Sequence, residues 1–387
     1  MANMLEIIEY IINDYTLRNV ALGSSVLGIV AGALGSFAFL RKESLMGDVV
    51  AHSALLGITG IFLLIYALTG IGTRSESLLM LGAVIAGLVA MVFVANITSS
   101  SRIKSDSAMG IMLAIFFGGG MFLLTMIQQS TMPNKAGLSG YIFGSAATIS
   151  HQNVLTMSVL GLFAILVMLI FWKEFKIHTF DSEFARTNGF SIKLLDILIL
   201  SMIVIAIVIG LQAVGVILMV AMIVAPASAA RQWTNKLWVM VLLSAFIGMI
   251  SGLSGALSSS LADNLPTGPM IVLVATAIFI LSVLFSPGRG ILSGLIRTYK
   301  KKRRIELSLV LADLYALNLN HNPDESPGHT AKVINTMNKV NYNVGKSLLF
   351  LEKQGFVRAI NDDKWILTNE GKIRAEKIMT ERGSLID

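Results

Sequence analysis

The chain has 387 residues, 55% of them apolar and only 14% charged, with a mean hydropathy of +0.75 and a formal net charge of +7. Soluble domains carry about 25% charged residues, so this chain cannot cover a globular surface with polar groups, and lipid is its expected solvent. It contains no cysteine, which excludes disulfides, thiolate metal sites and cysteine nucleophiles.

The opening stretch MANMLEIIEYIINDY carries Glu6, Glu9 and Asp14 without a basic cluster. It reads as an amphipathic lead-in rather than a secretory signal. A membrane span needs about 20 predominantly apolar residues. Such runs lie near 17–40, 49–72, 77–98, 108–128, 152–173, 194–210, 212–230, 237–261 and 269–286. The stretch 194–230 is too long for one crossing, and Gly210, Gln212 and Gly215 split it into a helical hairpin. Basic residues then fall on every second loop, at Arg41 and Lys42, Arg102 and Lys104, Lys173 to Lys193, Arg231 and Lys236, and Lys300 to Arg304. By the positive-inside rule those loops are cytoplasmic, with the N-terminus outside and the C-terminus inside. The net charge is therefore no sign of nucleic acid. Without the split the alternation breaks. The expected fold is an all-α polytopic membrane protein of about nine transmembrane helices.

Small residues spaced for close helix approach recur, as in Gly28 and Gly32, Ala31 and Gly35, and Gly248 and Gly252. They fit packing within one chain, with a dimer seam as the alternative. The segment GLSGYIFGSAATIS (137–150) is too short and glycine-broken to span. As a re-entrant or interfacial piece it is tolerable at membrane depth only where protein or water covers it.

Composition changes at 300: the last 88 residues hold 26 charges, a normal soluble density. The pattern predicts helices over 304–319, 329–340 and 343–354. A strand FVRAI, a turn at Asn361 to Asp363, a strand WILT and a helix capped by Thr368 follow. That is the order of an α+β winged-helix domain. Two domains are expected: a transmembrane domain over 1–290 and a small cytoplasmic winged-helix domain over 303–387.

The most informative stretch is LRKESLMGDVVAHSALLG, residues 40–57. It sets Asp48 and His52 four apart, on one face of a helix at the start of a span. Ionisable groups in membrane segments are expensive and line pathways. A carboxylate with an imidazole suits Mn²⁺, Fe²⁺ or Zn²⁺. A capping aspartate beside a core histidine explains the same spacing, and spacing alone leaves both readings open.

This run resembles the signature of the ABC importer permeases for manganese, zinc and iron. FDSEFARTNGF (180–190) is similar to their cytoplasmic coupling segment, AVGVILMVAMIVAPASAAR (213–231) to a later span, and LPTGPMIVLVATAIFILS (265–282) to the last one. The likeness covers about residues 15–287, with Lys42 and Glu43, and Thr267 and Pro269 around Gly268, departing modestly from the pattern. It implies a homodimeric permease in the bacterial cytoplasmic (inner) membrane that moves the ion by alternating access. A separate ABC ATPase subunit would hydrolyse ATP, and an extracytoplasmic metal-binding protein would deliver the metal. The chain itself would be no enzyme and would hold no permanent cofactor. Asp48 and His52 match the residues that meet the metal. Asp181, Glu183, Ala185 and Gly189 match the segment that enters the ATPase.

Weaker features take plainer readings. His151 suits interfacial hydrogen bonding, Pro226 the end or a kink of its span, and Gln128 and Gln129 the outer mouth. The 20 methionines are scattered packing residues. Gly345-Lys346-Ser347 mimics the end of a phosphate loop but has Val340 where glycine is required.

Residues 346–378 resemble the recognition helix, wing and closing helix of winged-helix repressors, including metal-dependent ones. The alternative function is thus a membrane-tethered regulator whose tail binds DNA. Charge argues against it. Beyond Arg304 the tail has 10 basic and 11 acidic residues, and Lys346 and Lys353 are offset by Glu352, whereas phosphate neutralisation supplies most non-specific DNA affinity. A regulatory or assembly module is the preferred reading. His321 and His329 with Asp324 and Glu325 read as a solvated loop, with a regulatory metal site as the alternative.

Overall fold

In lipid every backbone N–H and C=O must be satisfied within its own segment, so long apolar runs become helices. The computed structural model describes residues 14–41, 44–73, 75–138, 140–144, 149–260, 265–319, 328–337, 343–361 and 364–383. Two compact units emerge, Met1–Ile291 and Leu292–Asp387.

The first unit contains α1 (Tyr15–Leu40), α2 (Ser44–Thr69), α3 (Glu76–Ser100), α4 (Ser105–Gln129), α5 (Gly140–Phe143) and α6 (His151–Ile170). After these come α7 (Trp172–Phe180), α8 (Ser182–Thr187), α9 (Ile192–Val214), α10 (Val216–Trp233), α11 (Leu237–Ser259) and α12 (Thr267–Phe285). Among the described residues eight helices are long and apolar enough to cross a membrane: α1 to α4, α6, α9, α11 and α12. The chain is a mostly helical, multi-pass membrane protein. The ninth expected span corresponds to α10, an 18-residue helix with Pro226 inside it. Pro226 does not end that helix, which runs on to Trp233.

The split of 194–230 occurs at one residue. Gly215, at φ +87°, closes α9 and opens α10. A Cβ on Gly210 would strike the side chain of Met219. In a continuous helix those residues would stand about 13 Å apart, so the chain doubles back. The backbone at Gly144 lies against that turn, at Ala213 to Gly215. At Gly144, therefore, the irregular backbone after α5 is covered by protein, as the backbone-satisfaction rule requires at membrane depth.

Glycine sets the closest crossing. A side chain on Gly28 would enter the Gly248 carbonyl, one on Gly32 the Ser244 carbonyl, and one on Gly252 the Ser24 carbonyl. Ser244 Oγ donates to Gly32 O at 2.6 Å across the same seam. The glycine pairs thus join α1 to α11 within one chain, and Gly35 brings α1 onto α10 at Ile223. A matching contact of Gly57 with Gly82 seats α2 on α3.

The second unit runs α13 (Ile291–Leu319), β1 (His329–Thr330), α14 (Ala331–Met337), α15 (Val344–Lys353), β2 (Val357–Asn361), β3 (Lys364–Leu367) and α16 (Asn369–Gly383). The strands form an antiparallel sheet in the order β1-β3-β2. A core of Val310, Leu314, Ile334, Leu348, Val357 and Trp365 holds helices and sheet together. Two boundaries differ from expectation. The first helix starts at Ile291 rather than 304, and residues 329–330 pair with Lys364 and Trp365 as a strand instead of opening a helix. Of the polar set suggested near Pro323, His321, Asp324 and Glu325 lie outside the described residues.

Candidate functional site

One face of α2 is closed. Val49, Val50, Ala51, Ser53, Ala54 and Leu55 are fully buried, because the helix is packed against α3, α4, α9 and α10. The other face, along Leu45, Asp48, His52 and Leu56, is only half covered. Asp48 and His52 stand one turn apart on that stripe, close enough for their charges to interact. The His52 ring meets Phe117 of α4 edge-on, with centroids 4.5 Å apart. Its Nδ1 is shielded from solvent yet has no hydrogen-bond partner. A buried imidazole nitrogen without a partner costs about 1–3 kcal/mol, and a metal ion can take up such a lone pair. Among the described residues no cluster of three or more His, Asp or Glu side chains is placed to hold a metal. One chain therefore brings two donors to this stripe.

The stretch matched to a coupling segment folds as α7, a break at Asp181 and the short α8. Asp181 caps α8, its Oδ1 accepting from Phe184 N–H at 2.9 Å. Ala185 is fully buried and seats the turn. Gly189, at φ +84°, ends it: its N–H reaches Arg186 O and the N–H of Phe190 reaches Ala185 O. That bond pair is a left-handed helix stop that favours glycine. Nothing crowds the Gly189 α-carbon, so conformation, not space, requires the residue. Asp181, Glu183 and Gly189 are exposed, and Phe180 and Phe184 present more than half their surface to solvent.

A cluster that sequence reasoning missed ties this segment down. Arg41 Nη2 donates to Asp196 Oδ1 at 2.6 Å, and His178 Nε2 lies 2.7 Å from the same oxygen. Arg41 Nη1 is 3.2 Å from His178 Nε2. The three groups come from the end of α1, from α7 and from α9. Beside them Phe37 of α1 meets Trp172 and Phe175 edge-on. The available sequence signals were Arg41, inside the 40–57 run, and Asp196, alone in the apolar stretch IKLLDILIL. His178 gave none, because its partner lies 18 residues away on another helix.

His151, Gln128 and Gln129 are exposed. Lys346 lies in the first turn of α15, whose cap is Asn343. Glu352 accepts from Ala359 N–H at 3.3 Å and so braces β2.

The zinc transport system membrane protein TroC of Treponema pallidum is 46% identical over 295 residues, covering 76% of this chain and 96% of that protein. The manganese transport system membrane protein MntC of Bacillus subtilis is 36% identical over 353 residues, covering 91% of this chain and 79% of that protein. Those 353 residues exceed the whole of Met1–Ile291, so that match extends into the second unit. Among solved structures, PsaBC from Streptococcus pneumoniae in complex with Fab superposes with a TM-score of 0.63 at 30% identity, covering 74% of this chain and 98% of that one. The sequence pattern of the ABC 3 transport family matches residues 13–286. The chain belongs to the ABC 3 transport family as a membrane permease, a subunit that is not itself an enzyme.

Proposed function

We propose that this chain is the permease subunit of an ATP-driven importer for a divalent transition metal ion, manganese, zinc or iron, and that Asp48 and His52 meet the ion in transit. The observation that carries the reading is the half-covered stripe of α2, where a carboxylate and an unpartnered imidazole nitrogen stand together opposite a fully buried face. The names of the zinc and manganese relatives support the choice of cargo.

Two donors are too few to hold such an ion. A second copy of the chain facing the first would bring two more, completing a four-donor set of carboxylate and imidazole suited to these metals. The dimer also covers the open stripe of each α2. Because the four donors are divided between two chains, a change in how the two face one another parts the set and releases the ion. In this reading nine helices cross the bacterial cytoplasmic membrane, α10 among them, with the N-terminus outside and the tail inside. A separate ATPase docks on Asp181, Glu183, Ala185 and Gly189, and an extracytoplasmic binding protein delivers the metal. The tail, 303–387, is a winged-helix module for regulation or assembly. Support for that comes from its helix and strand order and its antiparallel β1-β3-β2 sheet.

The test is reconstitution of the chain with its ATPase and metal-loaded binding protein in proteoliposomes. ATP-dependent metal uptake is expected, with Asp48→Ala abolishing uptake in an assembled complex. Normal transport by that variant overturns the site assignment.

A further inference from the structure

The tail contains a groove of about 1080 Å³ between α13, α15 and α16 that the transport reading leaves unused. Its rim is basic: Lys300, Arg303, Arg304, Arg374 and Lys377 line it against a single acid, Glu370. Among the described residues none of these five cations forms an ion pair. Its floor is apolar, and includes Leu307, Phe350 and Ile373. Ile373 is 70% exposed, a poor place for isoleucine unless something covers it. The Arg303 guanidinium lies 4.1 Å above the Phe350 ring, which holds the cation at the edge of the apolar floor.

The groove also has a lead-in. Leu292, Ile296, Tyr299, Arg303, Leu307 and Leu311 follow one another at helical spacing along α13. The first three are exposed, whereas Leu311 is buried in the core of the unit. One stripe, apolar but for Arg303, therefore starts open and passes into the groove, flanked by Arg297, Lys300 to Lys302 and Arg304. Only residues 286–290 separate α13 from the end of the preceding apolar helix at Phe285. Arg303 lies about 18 Å along α13 from its first residue. A helix with an apolar face bordered by Lys and Arg, joined so closely to a span, has the chemistry of an interfacial lipid-binding segment.

We propose that this groove binds an anionic phospholipid of the membrane to which the chain is anchored. The headgroup phosphate is held by Arg303, Arg374 and Lys377, and an acyl chain runs over Leu307, Phe350 and Ile373. Forked guanidinium donors suit a phosphate, and the apolar floor excludes a small hydrated anion as sole occupant. Lipid composition would then govern how the tail is held, independently of which ion the permease carries.

The experiment uses the full chain in nanodiscs of phosphatidylcholine, with or without phosphatidylglycerol, and reads amide hydrogen exchange over 300–311 and 370–378. Phosphatidylglycerol is expected to slow exchange about tenfold in both segments. The doubly substituted chain Arg374→Glu, Lys377→Glu should lose that protection while Ile334 and Leu348 in the core exchange as before. Ile373→Asn, which keeps all the charge, should weaken it. No protection by phosphatidylglycerol overturns the proposal. So does protection that survives Arg374→Glu, Lys377→Glu, because the lysine cluster of α13 would then act as a general surface charge. Equal protection by inorganic phosphate, or protection by oleate without phosphatidylglycerol, also overturns it.

Discussion

Two aspartate–histidine pairs lie in the membrane unit, and the same two functional groups are used in opposite ways. Asp48 and His52 share one helix, stand on a half-covered stripe, and leave His52 Nδ1 without a partner. Asp196 and His178 come from different helices, close to 2.7 Å, and share an arginine that completes the charge balance. At the second pair Arg41 already supplies a cation to the carboxylate, and His178 Nδ1, like that of His52, is buried without a partner. A carboxylate that gains such a cationic partner becomes a structural clasp. A pair that lacks one keeps lone pairs available for a ligand. Residue type alone does not separate the two cases; the third partner does.

The sharpest way to break this contrast is to remove each carboxylate in turn. Asp48→Ala should lower ATP-dependent metal uptake at least about 100-fold, since losing even a supporting partner of a metal ligand costs 10–100-fold. Its thermal stability should stay near that of the parent. A variant that unfolds instead would make Asp48 a clasp like Asp196. His52→Ala should follow with a loss of about 10–100-fold in uptake.

Asp196→Ala should show the reverse pattern, a stability loss of about 2 kcal/mol in a denaturant melt with the metal affinity of the pathway retained. Equal stability of the variant and the parent would mean that the Arg41 contact carries no load. Arg41→Lys keeps the charge but loses the forked geometry, and a smaller loss of about 1 kcal/mol is expected. The smallest effect should come from Gly189→Ala. Forcing a β-carbon into the left-handed region costs about 1 kcal/mol, read as weaker stimulation of ATP hydrolysis by loaded binding protein while basal hydrolysis is unchanged. Unaltered stimulation would remove Gly189 from the coupling segment.

Much of the helical layout was legible because hydropathy and loop charge are local properties. The eight long spans needed only composition, and the division at 194–230 followed from the rule that basic loops alternate. The role of Gly215 was less legible: three candidate residues marked the turn, and only one carries it, at a positive φ. The glycine pairs were visible as spacing, yet their partner was not. Gly28 meets Gly248 across a separation of more than 200 residues, and no local pattern encodes which helix a small-residue face will meet. Of the two readings of Pro226, the end or a kink of its span, the end is excluded, because a proline within a helix need not terminate it when neighbouring helices support the freed carbonyl.

The sequence by itself determined that this chain spans a membrane many times, that charge density rises sharply from residue 300 onward, and that the run holding Asp48 and His52 is its most informative stretch. Those follow from hydrophobic transfer and from periodicity along a single helix. Only the tertiary structure decided that His178 Nε2 closes on Asp196 while its Nδ1, like that of His52, is left without a partner, that Arg41 closes a clasp with residues 137 and 155 positions away, and that basic residues from 300–304 and from 374–377 rim one apolar groove. Each of these depends on which helix faces which. Packing settles that through contacts between residues far apart in the chain, where local preferences carry no information.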